Sequence, residues 1–137
     1  MAGGGVWDVS QLLRLEKDLG KVAPSAVKAV QAAVMEGGDQ LRDEWAANVE
    51  ATGGSHLPWL PDAITAEPAL TGFGEVSVVV GPESGRKQGA LGKGDEYGSV
   101  NTPAHMNGHR AADTVSPRLD GMLGAAMMLG MREVTGG

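Results

Sequence analysis

Residues 24–53 read PSAVKAVQAAVMEGGDQLRDEWAANVEATG, and the spacing of apolar positions in this stretch decides the fold. Val27, Val30, Val34, Gly38, Leu41, Trp45 and Val49 recur at steps of three and four. At about 3.6 residues per turn they form one continuous stripe along a helix. The other face carries Lys28, Gln31, Glu36, Asp39, Arg42, Asp43 and Glu50. The pattern predicts a long amphipathic helix over about 24–50. Pro24 suits its first turn, and Gly53-Gly54 ends it. Gly37-Gly38 in the middle costs roughly 1 kcal/mol of helix propensity per glycine. That cost marks either a close approach by another backbone or a kink.

On the N-terminal side, Leu12, Leu15 and Leu19 share a helical face and Leu13 sits beside it. This predicts a first helix over about 9–19, with Asp8 or Ser10 as cap and Gly20 as terminator. On the C-terminal side, two prolines in Leu57-Pro58-Trp59-Leu60-Pro61 rule out a central strand or helix. Ile64 to Ala69 reads as a strand that Pro68 confines to an edge. The strongest strand is Glu75-Val-Ser-Val-Val-Val80, β-branched and bounded by Gly74 and Gly81-Pro82. The two strands form a hairpin through Leu70–Phe73, within a β region of about 62–82. Residues 83–108 have neither period and are rich in glycine, so they read as a long functional loop. A C-terminal helical region over about 109–132 draws its apolar face from Ala111, Ala112, Val115, Leu119, Met122, Leu123, Ala126, Met127 and Leu129. Pro117 kinks or splits it. The expected architecture is α+β in a single domain, 1–137. A long amphipathic helix packs on a small, mainly antiparallel sheet, with a long irregular loop and a C-terminal helix.

Composition narrows the function classes. The 137 residues include no cysteine, which removes disulfides, thiolate metal sites and cysteine nucleophiles. The formal net charge is −6. Residues 1–68 hold ten acids and five bases, and 69–137 hold seven acids and six bases. An acidic surface disfavours gripping phosphates, and the scattered aromatics form no base-stacking platform. No stretch approaches the ~20 apolar residues of a spanning helix, so no membrane partner is expected. Met1–Gly5 lacks a basic segment followed by an apolar one, so no secretory signal is expected.

Each chemical motif meets a plainer reading. His105 and His109 stand four apart, and on a helix they would share a face as in zinc hydrolases. The glutamate that serves those enzymes as base is missing, and Gly108 weakens the helix there. A third ligand would have to be Asp113 or His56. The plainer reading is two surface or interface histidines, so no metal is assigned. Gly85-Arg86-Lys87-Gln88-Gly89-Ala90-Leu91-Gly92-Lys93-Gly94 suggests a phosphate loop but lacks the Ser or Thr after Lys93 and the first glycine at position 87. It reads as a flexible basic loop that touches DNA or an acidic neighbour, the neighbour being preferred. There is no Gly-x-Ser-x-Gly elbow. Asp43-Glu44 reads as a solvated helix face, because adjacent helical positions do not face one another. Asp95-Glu96 lies in the loop. No catalytic residue and no cofactor is assigned, and the chain is expected not to be an enzyme.

Several features in order resemble the neck or tail-completion family of long-tailed bacteriophages, head–tail connector proteins of the minor tail protein Z type. They are the N-terminal helix, the long helix ending near Val49 and the strand ending in Val80-Gly81-Pro82. Glu96-Tyr97-Gly98, Asn101-Thr102-Pro103-Ala104-His105 and Arg110-Ala111-Ala112 follow. The chain departs from the family where an Asp-Thr-Gly-x-Leu stretch often follows the long helix. Here Ser55-His56-Leu57-Pro58-Trp59-Leu60-Pro61 stands instead, so the early sheet is expected to be built differently. The resemblance implies a homo-oligomeric, six-fold ring without catalysis, assembled in the host cytoplasm into the virion neck. Its partners would be a head-side connector or stopper and tail-side terminator or tube proteins. DNA would pass through the lumen without specific binding. Tyr97, Asn101, His105 and Arg110 are the expected interface anchors, since tyrosine and arginine are frequent hot spots. A tail terminator, a small metal-dependent hydrolase using His105 and His109, and a host binding module stay open as alternatives.

Overall fold

The computed structural model describes residues 5–9, 12–18, 24–53, 58–68, 75–83, 85–87, 89 and 105–135. Strand β1 (Gly5–Val9) is followed by β2 (Leu12–Asp18). A 3-10 turn (Pro24–Ala26) leads into helix α1 (Val27–Gly53). A one-turn helix α2 (Leu60–Ala63) runs directly into strand β3 (Ile64–Pro68). Strand β4 (Glu75–Pro82) and helix α3 (Asn107–Thr135) complete the described elements. The protein is α+β: a long helix on a small antiparallel sheet, with a C-terminal helix.

The four strands lie in the order β1-β2-β4-β3, and each neighbouring pair is antiparallel. Register assigns the faces. Leu13 pairs with Val80, Leu15 with Val78 and Lys17 with Val76. Ala66 pairs with Val80 and Ile64 with Pro82. Directly paired residues share a face. Val76, Val78, Val80, Leu13 and Ile64 all belong to the buried core, so this is the face that the helices cover. The other face carries Arg14, Ser77, Val79, Thr65 and Glu67, since side chains alternate along a strand.

Helix α1 buries the stripe that its spacing predicts. Val30, Val34, Leu41, Trp45 and Val49 are all buried. Gly38 is the point of closest approach to the sheet. A Cβ on Gly38 would lie 2.6 Å from Val78 Cγ1. The glycine is thus a contact surface, and the approaching group is a side chain of the sheet rather than another backbone. Gly38→Ala is expected to lower stability by up to about 2 kcal/mol, the overpacking cost less the regained helix propensity. Urea unfolding measures it, and a stabilised variant would mean that Val78 yields freely.

Helix α3 runs antiparallel to α1. Asn48 contacts Asn107, Trp45 meets Gly108, Glu44 lies near Arg118 and Gln40 near Met122, so one numbering falls as the other rises. Ala111, Ala112, Val115, Leu119, Leu123 and Ala126 are buried. Met122 and Met127 are partly buried against the core. Leu129, expected on the apolar face, is 54% exposed beside Met128 at 59%. Pro117 neither ends nor splits the helix, which is continuous around it.

Two expectations need correction. The segment 9–19 is not a helix: Val9 ends β1 and 12–18 form β2. Leu12-Leu13-Arg14-Leu15 fits both periods, and the valine-rich β4 supplies a partner at period two. Tertiary pairing overrides a weak local preference. The prolines at 58 and 61 also do not exclude a helix, because α2 places Pro61 in its first turn, where a missing N–H costs nothing. The edge assignment of Ile64–Pro68 and its hairpin with β4 match the structure.

Candidate functional site

The start of α3 is fixed by a small polar network against the end of α1. Asn48 Nδ2 donates to the Asn107 carbonyl at 3.0 Å, and Asn107 Nδ2 donates to Thr52 Oγ1 at 2.7 Å. Thr52 Oγ1 donates to the Asn48 carbonyl at 3.0 Å. Asn107 is fully buried. Hydrogen bonds to a buried asparagine favour one geometry, because misplacement would break them where water reaches poorly. Just before it, Met106 has a φ of 53°, the left-handed region that non-glycine residues seldom occupy. Its carbonyl still accepts the first helical bond, from Arg110 N at 2.9 Å. The chain thus turns sharply into α3 at Met106.

This turn decides how the expected anchors stand. Arg110 is exposed on the first turn of α3, and His105 is half-buried two residues ahead of the helix. The two flank the Met106 turn. Tyr97 and Asn101 lie outside the described residues. His105 precedes the left-handed residue while His109 follows it inside α3, so the pair does not share one helical face as the four-residue spacing suggests. Both histidines make interactions within the chain. Among the described residues, no three His, Asp or Glu side chains gather as a metal site. Gly108 has a packing role: a Cβ there would fall 2.6 Å from Cε2 and Cζ2 of Trp45.

A second place went unread in the sequence. A cleft of about 440 Å³ opens between α1, α2 and β3. Arg42, Asp43 and Ala46 of α1 form one wall, and Pro61 and Asp62 of α2 close one end. Ile64, Thr65, Ala66 and Glu67 form the other wall, and Arg86 stands at the rim. Arg42 lies 3.0 Å from Asp43 and 3.5 Å from Asp39. Arg86 lies 2.7 Å from Glu83. The described start of the basic loop is a pair of turns, with Arg86 N donating to the Glu83 carbonyl and Gly89 N to that of Arg86. Lys87 sits 3.6 Å above the centre of the Trp59 ring, and Trp59 is 47% exposed. A cation over an indole face at the surface contributes about 0.5–1 kcal/mol. It ties this loop to the turn before α2.

Among the described residues the cleft offers shape and charge. No helix among the described residues is long and apolar enough to cross a membrane. Comparisons with protein families, with curated proteins and with solved structures found no match.

Proposed function

We propose that the chain is a structural virion protein of a long-tailed phage, a head–tail connector subunit of the neck that forms a ring around the DNA channel. The observation that supports this reading is the order of elements from α1 onward; strands β1 and β2 stand where the resemblance implies an N-terminal helix. A 27-residue helix lies on a small antiparallel sheet and a C-terminal helix follows, as the resemblance to the tail-completion family implies.

A ring repeats one heterologous interface around its axis, so each subunit needs two different exposed surfaces. The Met106 turn with His105 and Arg110 supplies one surface in this reading. The exposed end of α3, with Met128 and Leu129, supplies the other. Met is an adaptable contact residue. The acidic balance of the chain suits a lumen through which DNA slides.

Light scattering across a concentration series is the direct test. The expected result is a discrete oligomer near six times 14.0 kDa. Tyr97→Ala is expected to leave the circular dichroism spectrum unchanged while the oligomer is lost. A strict monomer that also binds neither purified tails nor DNA-filled heads would overturn the proposal.

A further inference from the structure

The cleft beside β3 is touched by four consecutive residues, Ile64 to Glu67. Successive side chains of a strand point to opposite faces. A cavity on one face would meet only every second residue. This one therefore runs along the edge of the strand, where the backbone N–H and C=O groups lie. β3 is terminal in the sheet, with β4 on its other side. Ile64 N donates to the Pro61 carbonyl at the end of α2. Among the described residues the backbone bonds outside the ladders include none to Thr65–Glu67. An unpaired edge is a template for another strand.

The cleft gives that edge a second wall. Ala46 and Arg42 of α1 face it, so an added segment would lie between a strand and a helix. Strand addition draws affinity from main-chain bonds and selectivity from the flanking side chains. Charge then selects the occupant. Arg42 is matched by Asp39 and Asp43, and Arg86 by Glu83. Asp62 and Glu67 are exposed and have no ion pair among the described residues. The unmatched charge of the cleft is negative. A second copy would bring the same two acids to the edge, and like charges across a strand pair are unfavourable.

We propose that this edge and cleft bind an extended basic segment of another protein, added as a short strand along Thr65–Glu67. α2 closes one end of the site, and Pro68, whose nitrogen carries no hydrogen, closes the other. The site thus admits about three residues of the guest, opposite Thr65–Glu67. It needs no virion, so it stands apart from the ring reading and either can fail alone.

The test uses the full ¹⁵N-labelled chain and two blocked pentapeptides, Lys-Val-Thr-Val-Lys and Glu-Val-Thr-Val-Glu. Amide shifts of residues 64–67 are expected with the lysine peptide, which binds about three- to tenfold more tightly than the glutamate peptide, as two exposed ion pairs allow. The double variant Asp62→Lys/Glu67→Lys changes two exposed side chains and is expected to fold normally and to reverse the preference. Three results would each overturn the proposal. One is no shift at residues 64–67 at millimolar peptide. Another is a preference that survives the charge reversal. The third is concentration-dependent shifts at 64–67 without peptide, which would make a second copy the occupant.

Discussion

Trp45→Ala is expected to destabilise the protein by about 3–5 kcal/mol, the usual cost of emptying a large aromatic site in a core. Trp45 is 2% exposed and sits where α1 meets the start of α3. The same ring makes a companion prediction possible. A Cβ at position 108 would stand 2.6–2.8 Å from three atoms of the indole. The ring is rigid and enclosed, so it cannot move aside cheaply. Gly108→Ala alone is therefore expected to cost about 1–3 kcal/mol. In the Trp45→Ala background the obstacle is gone. There Gly108→Ala should stabilise by up to about 1 kcal/mol through helix propensity. The change of sign is the diagnostic, and urea unfolding of the four proteins in a double-mutant cycle reads it. Additive costs would mean that Gly108 does not rest on Trp45.

Pro117→Ala should act in the opposite direction, stabilising by about 2 kcal/mol. Proline in a helix interior is about 3 kcal/mol worse than alanine. Part of that returns through the freer unfolded chain of the variant. Pro117 is exposed inside a continuous helix, so alanine loses little packing. A rise in thermal midpoint with an unchanged spectrum is the expected result. A destabilised Pro117→Ala would mean that the local shape imposed by proline is used in packing Val115 and Leu119.

How much of this was legible in the sequence depends on how each feature is made. Helix α1 was, because six of its seven stripe residues are large enough to declare a period over many turns. The edge position of β3 was also legible, since Pro68 acts through its own missing N–H. Residues 9–19 were not, because three leucines in Leu12-Leu13-Arg14-Leu15 satisfy both periods. Only the distant valines of β4 decide between them. Gly38 and Gly108 could be flagged as costly in a helix, but the groups that require them, Val78 and Trp45, lie 40 and 63 positions away. The cleft was the least legible. It is assembled from α1, α2, β3 and the turn after β4, and no one stretch carries its pattern. Trp59 between two prolines was its only local trace. The resemblance named His105 and Arg110 as anchors, but the left-handed Met106 that separates His105 from the helix leaves no mark in residue spacing.

The strand order has a consequence for the chain as it leaves the ribosome. β1 and β2 are made first, and they pair only with each other until β4 arrives. The partner of Leu13 is Val80, so 66 residues separate them, with all of α1 in between. A two-stranded ribbon is barely stable by itself. The nascent chain therefore carries an unfinished sheet through most of its synthesis, with the leucine face of β2 open to solvent. Such long-range closure slows folding relative to a helical bundle of the same size. The same sequence should refold fastest from a state in which α1 is already formed, since that helix brings the two central strands to a common surface.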